Sequence, residues 1–148
     1  MALPNYEKNI NKVITAYRPE DYTIQESSKY EQIPLNSKIL SGESFTLTSD
    51  GKIKIGKNIS KILVSGKITL PSTGVTTGGK NFVIRKNGSV INRGMYNQGS
   101  VVNSYYVLPP ALEEVEENDL IDIAYYGTAN NVISGGKVFT NLTVQAVE

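Results

Sequence analysis

The sequence contains no cysteine and no histidine among its 148 residues. Without cysteine the chain has neither a disulfide nor a thiolate, so its composition does not identify a redox compartment. Without histidine it lacks the commonest general base and the commonest metal ligand, which argues against zinc sites and most nucleophilic catalysis. We therefore predict that the protein is not an enzyme and uses no cofactor and no metal.

Long apolar runs and a leader sequence are also missing. No stretch approaches the roughly 20 apolar residues of a membrane-spanning helix, and the start, MALPNYEKN, lacks the basic and then apolar regions of a signal peptide. The net charge is only +1 and the pI about 7.8, below the basic footprint of nucleic-acid-binding proteins. We expect no membrane insertion, no signal peptide and no nucleic-acid partner.

Charge is nevertheless distributed unevenly along the chain. Residues 51–112 contain nine basic side chains and no acidic one, whereas residues 113–122 contain six acidic side chains and no basic one. Two interpretations are open: the two patches meet across a subunit interface, or they balance each other within one subunit. The acidic segment lacks the spacing of a calcium loop, which favours a solvated turn.

The first forty residues differ in composition and pattern from the rest, and residues 1–40 are predicted to form a separate extension. Apolar residues recur there at helical spacing, which predicts one short amphipathic helix over about 6–17, between a possible cap at Asn5 and a stop at Pro19. Its apolar stripe would pack on the same molecule or attach it to a partner protein. The candidate attachment residues are Tyr6, Ile10, Val13, Ile14 and Tyr17.

From Ser41 onward, short alternating strands are separated by Gly, Asn and Asp turns. The longest is KILVSGKITL, which places Ile62, Val64 and Ile68 on one face and charged or polar residues on the other. About eight strands at this spacing predict an all-β antiparallel jelly-roll sandwich over residues 41–148. They are predicted at 43–48, 52–55, 61–70, 81–86, 89–93, 101–108, 120–126 and 138–147, with a short run at 132–136.

The order of these motifs resembles a known family. The strand pair FTLTSDGKIKI leads to ISKILVSGKI, then to the hairpin FVIRKNGSVINR, the turn and strand EENDLIDIAYY, and the final VFTNLTVQAV. This order is similar to the C1q/TNF-like jelly roll, in the variants found in tail, baseplate and fibre proteins of bacteriophages and prophages. Asn118 stands where that pattern usually has glycine.

The resemblance implies a compact homotrimer in which one sheet of each subunit faces the three-fold axis. Outward aromatic side chains on a sheet are frequent interface anchors, although each could also be an ordinary wet surface tyrosine. One tyrosine of each adjacent pair should point away from the core, because neighbouring residues on a strand face opposite sides. The candidate interface residues are Leu63, Tyr105, Tyr106, Tyr125, Tyr126 and Phe139.

Two functions follow as expectations. In the first, the protein is a non-enzymatic virion structural protein, a trimeric fibre, knob or baseplate component made in the host cytoplasm and joined to other virion proteins through its N-terminal segment. In the second, polar loops at 71–80, 94–100 and 127–136 bind a host cell-surface saccharide, unless they are simply solvated turns. The candidate ligand residues in these loops are Tyr96, Asn97, Asn130 and Asn131.

Overall fold

The structure is a computed structural model that describes residues 12–41, 43–70, 80–94 and 104–147. These residues form thirteen β-strands and contain no helix. In chain order they are β1 (Val13–Tyr17), β2 (Tyr22–Thr23), β3 (Tyr30–Gln32), β4 (Ser37–Ser41), β5 (Phe45–Leu47), β6 (Ile53–Ile55), β7 (Lys61–Leu70), β8 (Asn81–Lys86), β9 (Ser89–Arg93), β10 (Ser104–Glu114), β11 (Leu120–Tyr126), β12 (Val132–Ile133) and β13 (Asn141–Ala146).

Eleven of the strands form the two sheets of a sandwich. The first sheet has five strands in the order β10–β7–β13–β1–β4, and every neighbouring pair is antiparallel. The second has the order β5–β6–β11–β8–β9, with β3 pairing beside the C-terminal half of β11. The short strands β2 and β12 pair with each other outside both sheets.

The core lies between the two sheets and follows the alternation of the strands. Strand β7 alternates strictly between half-buried and buried residues, and its buried side chains face those of β11 and β8 across the sandwich. At Gly66 the two layers approach so closely that a Cβ atom would lie 3.3 Å from the ring of Phe82. Glycine inside a strand commonly marks such a close approach, because a side chain would collide with the facing layer.

The predicted fold class, an all-β antiparallel jelly-roll sandwich, is confirmed. Four predicted strands have the observed bounds: β7, β8, β9 and β11. The hairpin between β8 and β9 turns through Asn87 and Gly88, whose φ angles of 50° and 86° are those of the tight turn expected for Asn-Gly. Asn118 adopts a φ of 72°, so asparagine here serves the left-handed position that glycine usually fills.

The predicted helix over 6–17 is wrong for the residues that the structure describes. Val13–Tyr17 forms strand β1, which lies between β13 and β4, and Ile14 is completely buried in the core. Ile14 and Ala16 both face the core, so the core-facing residues recur here with a period of two. The small, weakly hydrophobic side chain of Ala16 makes this alternation hard to recognise in the sequence. Tyr6 and Ile10 lie outside the described residues.

This placement also does not fit an extension that ends at residue 40. Strands β1 and β4 belong to the five-stranded sheet, and Ile24, Ile33 and Leu35 belong to the core. The described part of the first forty residues is therefore integrated in the sandwich. Of the attachment candidates, Val13, Ile14 and Tyr17 are sheet residues, and Ile14 is inaccessible to a partner.

Two strand ends were also predicted wrongly. The prolines at 109 and 110 do not end β10, because the pairing with β7 shifts register between Leu108 and Ala111 and then resumes as far as Glu114. A bulge at an edge strand accommodates residues that cannot donate a backbone hydrogen bond. The closing strand begins at Asn141 rather than Val138, because residues 137–139 form a turn.

Candidate functional site

The five-stranded sheet has a second face, directed away from the core, that we call the open face. Its residues follow from the register: on β7 they are the half-buried residues between the core positions, and their cross-strand partners share their orientation. Leu63 lies between Leu112 and Gln145, and Lys67 lies between Val107 and Asn141. Across β1, the register continues the open face to Ile39 on β4.

Large apolar side chains are unusually exposed on the open face. Ile39 is 51% exposed, Tyr105 65%, Val107 56% and Leu112 61%. Of eight exposed large hydrophobic residues in the described chain, seven lie on this sheet or in the turn that leads into β13, and Val90 alone lies on the other sheet. Exposed large apolar side chains that gather on one sheet of a domain are a feature of binding surfaces.

The centre of the open face is polar. The hydroxyl groups of Thr15 and Thr143 hydrogen bond to each other at 2.9 Å, and Ser65 stands opposite Thr143 on the next strand. The apolar residues therefore flank a polar band, with Ile39 at one edge strand and Tyr105, Val107 and Leu112 at the other. This arrangement suits a protein partner with apolar contacts at its margins and hydrogen bonds between them.

One isolated cation stands in this surface. The Nζ atom of Lys67 lies 5.0 Å from the ring centroid of Tyr105, within the range of a cation–π contact. No carboxylate of the described residues forms an ion pair with it. The neighbours of Lys67 in the register are the uncharged Val107 and Asn141.

Elsewhere the two charge patches of the sequence pair within one subunit. Arg85 donates two hydrogen bonds, of 2.7 and 2.8 Å, to the Asp122 carboxylate on the outer side of the six-stranded sheet. Lys86 donates to a Glu113 carboxylate oxygen at 2.6 Å, and this hydrogen bond raises the pKa of Lys86. For these four residues, the interpretation of balance within one subunit is the one that the structure supports.

A shallow polar cleft lies beside the acidic connection between β10 and β11. Its volume is about 490 Å³, and its walls combine lysine and carboxylate side chains. Asp119 accepts hydrogen bonds from the Asn87 side chain and from the backbone of Glu116, so its carboxylate stabilises the turn. The cleft is lined by Ser60, Lys61, Lys86, Glu114, Val115, Glu116 and Asp119.

Two predicted interface residues lie on the open face, and a third lies in the turn that leads into β13. Leu63 is half-buried and Tyr105 is exposed, and both belong to the open face. Phe139 lies in the turn before β13 rather than on a strand, and its carbonyl accepts a hydrogen bond from Thr69. Their role in an interface stays a prediction.

The remaining three interface candidates do not belong to the open face. Tyr106 points to the opposite side from Tyr105 and packs on the core. Tyr125 is fully buried within the core, so its assignment to an interface is wrong; burial raises its pKa. Tyr126 belongs to the six-stranded sheet, where its ring lies 5.4 Å from that of Tyr30.

The structure describes two of the four candidate ligand residues, Asn130 and Asn131. Tyr96 and Asn97 lie outside the described residues, as do most of the loops at 71–80 and 94–100. Asn131 is buried, and its side-chain oxygen accepts hydrogen bonds from the Tyr125 hydroxyl and the Thr128 backbone. Asn130 is exposed with a φ of 71°, typical of a turn residue.

Sequence reasoning missed Ile39, Val107 and Leu112, which are three of the eight exposed large hydrophobic residues in the described chain. Leu112 was missed because the strand was taken to end at the prolines. Ile39 was missed because the residues before Ser41 were assigned to an extension. The alternation Tyr105, Val107 along β10 was a usable signal, since it predicts that both side chains share one face.

Neither a metal-binding cluster nor a membrane-spanning helix is found in the described ranges. No cluster of three or more acidic side chains there has the geometry to hold a metal ion. Within the same ranges, no helix is long and apolar enough to cross a membrane.

Comparison with known proteins gives matches of structure only. No protein-family model matches the sequence, and no curated protein matches it either. Murine APRIL is structurally similar with a TM-score of 0.70 and 12% identity, covering 91% of this chain and 98% of that one. Eiger TNF from S. frugiperda has a TM-score of 0.67 at 7% identity, covering 93% of this chain and 92% of that one.

The globular domain of zebrafish complement 1qA is similar as well, with a TM-score of 0.63 and 10% identity, covering 93% of this chain and 98% of that one. At these identities the similarity concerns the fold. It extends over residues before position 41 as well as after it, in agreement with the place of β1 and β4 in the sandwich. The chain therefore has the C1q/TNF-like jelly-roll fold.

Proposed function

We propose that the protein is a non-enzymatic homotrimer that assembles through its open face and serves as a structural component of a bacteriophage particle. The observation that carries the assembly is the exposed apolar surface of the five-stranded sheet, on Ile39, Tyr105, Val107 and Leu112. Water contact with so many large apolar groups is unfavourable, and a second copy of the chain would remove it.

The distribution of this surface favours a head-to-tail contact between copies. Apolar residues occupy the β10 edge on one side and Ile39 near the β4 edge on the other, so the two margins differ. A contact between unlike surfaces repeats around a ring, and a ring closes when the rotation between copies divides the circle. Three copies are the number that the family resemblance implies.

The viral part of the proposal is supported by the order of sequence motifs, which resembles tail, baseplate and fibre proteins. Because β1 and β4 are part of the sandwich, attachment to other virion proteins would fall to the residues before Lys12, which include Tyr6 and Ile10. Deleting residues 2–11 should then leave the oligomeric state unchanged and remove the protein from purified particles, as measured by mass spectrometry. Retention in the particles would contradict this assignment.

The assembly is tested by light scattering coupled to size exclusion. The wild type should give three times the 16.2 kDa of one chain at micromolar concentration. The double variant Val107→Glu/Leu112→Glu should be monomeric, because it places charges in the desolvated interface. The matched control is Val90→Glu, an exposed valine on the six-stranded sheet that should remain trimeric.

Two results would overturn the proposed assembly. One is a monomeric wild type. The other is a double variant that stays trimeric, which would mean that the copies meet through another surface. Circular dichroism on the same samples verifies that the variants keep the β fold.

A further inference from the structure

The turn between β8 and β9 contains a chemically labile pair of residues. A two-residue turn of this type needs a positive φ at both positions, which favours Asn-Gly, and Asn87 and Gly88 have φ angles of 50° and 86°. Asn87 is also the one asparagine in the sequence that is followed by glycine. Asparagine is a thermolabile residue, and it is most labile before glycine, because no side chain shields the next backbone nitrogen. The turn geometry therefore favours a dipeptide that is prone to modification.

The modification is spontaneous deamidation, and its only co-reactant is water. The Gly88 nitrogen loses its proton and attacks Cγ of Asn87, so that a C–N bond forms, the Cγ–Nδ2 bond breaks and Nδ2 leaves as ammonia. Water then opens the five-membered imide at one of its two carbonyl groups, which gives aspartate or isoaspartate. Asn87 and Gly88 are both exposed, and a Cβ atom on Gly88 would meet nothing within 4 Å, so water reaches the turn.

The folded protein holds the Asn87 carboxamide by both of its polar atoms. Its Oδ1 accepts a hydrogen bond of 2.9 Å from the Leu120 backbone, and its Nδ2 donates one of 2.8 Å to Oδ1 of Asp119. The backbone nitrogen of Asn87 donates to the Leu120 carbonyl at 2.9 Å as well. Ring closure turns the carboxamide towards the Gly88 nitrogen and breaks both side-chain bonds, so the reaction needs local opening between the hairpin and β11.

The product cannot restore these contacts. An aspartate at position 87 has no Nδ2 proton to donate, so one of its carboxylate oxygens would face the like-charged Oδ1 of Asp119. Isoaspartate also adds a methylene group to the main chain within the tight turn. Because neither product returns to asparagine, the deamidated fraction grows with the time that the hairpin spends open.

We propose that Asn87 is a site of spontaneous deamidation, and that its hydrogen bonds to Asp119 and Leu120 suppress the reaction in the folded protein. Deamidation weakens the six-stranded sheet, to which β8, β9 and β11 belong, and leaves the open face of the other sheet unaltered. The inference is independent of the proposed assembly.

The rate is tested by incubating the full chain at mildly alkaline pH, folded or in concentrated urea, and mapping its peptides by mass spectrometry. In urea, Asn87 should deamidate faster than every other asparagine. In the folded chain it should react about tenfold more slowly or less, because two hydrogen bonds must open first. Asp119→Ala should accelerate the reaction of the folded chain about fivefold, because it removes one of them. The matched control is Glu117→Ala, which removes an exposed carboxylate from the same connection and should keep the wild-type rate.

The consequence of deamidation is tested by a substitution that reproduces one product. Asn87→Asp should lower the urea midpoint of the full chain, because it places a second carboxylate against Asp119. Asn87→Asp/Asp119→Asn should recover part of this loss, since the new amide at position 119 can donate to the new carboxylate at position 87. This pair also tests the contact if circular dichroism shows that Asp119→Ala does not fold.

Four results would overturn the inference. They are equal rates at Asn87 in the folded and the urea-unfolded chain, a faster reaction at another asparagine in urea, a folded Asp119→Ala variant that deamidates at the wild-type rate, and an Asn87→Asp variant as stable as the wild type. A monomeric wild type would remove the proposed trimer and leave this inference standing.

Discussion

The outer surfaces of the two sheets differ in polarity. The six-stranded sheet covers its outer surface with its own polar side chains, among them the Arg85–Asp122 pair, whose carboxylate side chain is only 4% exposed. The five-stranded sheet leaves Tyr105, Val107 and Leu112 in contact with water. One surface is complete within a single chain, and the other would be completed by a second copy in the proposed trimer.

This difference shows that burial alone does not identify an interface. Asp122 is buried and Arg85 is only 16% exposed, yet they satisfy each other within the subunit through two hydrogen bonds. The informative feature is the group of large apolar side chains left exposed on one sheet, because exposed apolar surface of this kind is unusual on a monomer. The predictions below test whether the six-stranded surface is self-sufficient and the five-stranded one is not.

The largest effect on stability is expected from Asp122→Ala, which removes the carboxylate that pairs with Arg85 on the outer surface of the six-stranded sheet. The variant leaves the Arg85 guanidinium buried without its carboxylate, and removal of one partner from a buried pair costs about 3–5 kcal/mol of unfolding free energy. Urea denaturation in the monomeric Val107→Glu/Leu112→Glu background measures this without a contribution from assembly. The double replacement Arg85→Met/Asp122→Leu should recover most of the loss, and a failure of both to differ from the parent would contradict a structural role for the pair.

A comparison of two tyrosines sharpens the contrast between the sheets. Tyr105→Ala should raise the concentration at which the trimer dissociates about tenfold or more, because it removes an exposed aromatic anchor from the open face. Tyr126→Ala should leave assembly unchanged and lower the free energy of unfolding by about 1–2 kcal/mol, through loss of the contact with Tyr30. Dilution series by light scattering and urea denaturation separate the two quantities. The reverse pattern would move the interface to the six-stranded sheet.

The β8–β9 hairpin should show a smaller effect. Asn87 accepts a hydrogen bond from the Leu120 backbone and donates one to Asp119, so its side chain joins the hairpin to β11 within the six-stranded sheet. We expect Asn87→Ala to cost about 2 kcal/mol of unfolding free energy. Asn58→Ala is the matched control: Asn58 also has a positive φ, of 62°, and no side-chain hydrogen bond to the described residues, so about 1 kcal/mol is expected. Equal losses would mean that the side-chain bonds contribute nothing.

The smallest effect concerns alkaline pH. Burial and the hydrogen bond to Glu31 raise the pKa of Tyr22 from 10.0 to about 12. Because the folded protein holds this proton more tightly than the unfolded chain, the resulting stability is complete below pH 10.0 and is lost as pH rises towards about 12. Tyr22→Phe should therefore lose less stability than the wild type between these values, as measured by urea midpoints. Parallel curves for the two proteins would exclude a contribution from Tyr22.

The sequence predicts most of the fold where alternation and turn chemistry agree. Strand β7 and the β8–β9 hairpin were predicted with the observed bounds, because β7 has a clear period of two and the hairpin is marked by its Asn-Gly turn. Strand β1 was not, since its five residues include the weakly hydrophobic Ala16 and resemble a helical stripe. Its partners β13 and β4 are distant in sequence, and they decide its conformation.

The open face was predictable only in part. The sequence indicates that one tyrosine of each pair faces outward, and Tyr105 does so. It does not indicate which sheet each strand joins, so Tyr105 and the core residue Tyr125 could not be told apart. The contribution of Leu112 depends on a bulge, and a bulge shifts the alternation by a residue that sequence patterns do not record.

That bulge has a consequence for how the molecule associates. Strand β10 is one of the two edge strands of its sheet, and an unpaired edge strand invites edge-to-edge addition of further strands into fibres. Pro109 and Pro110 interrupt its row of amide donors halfway along, and the local kink denies a newcomer a continuous ladder. The exposed apolar side chains of β10 therefore lie on an edge strand that pairs poorly with a further strand. This disfavours growth of the protein into amyloid-like polymers.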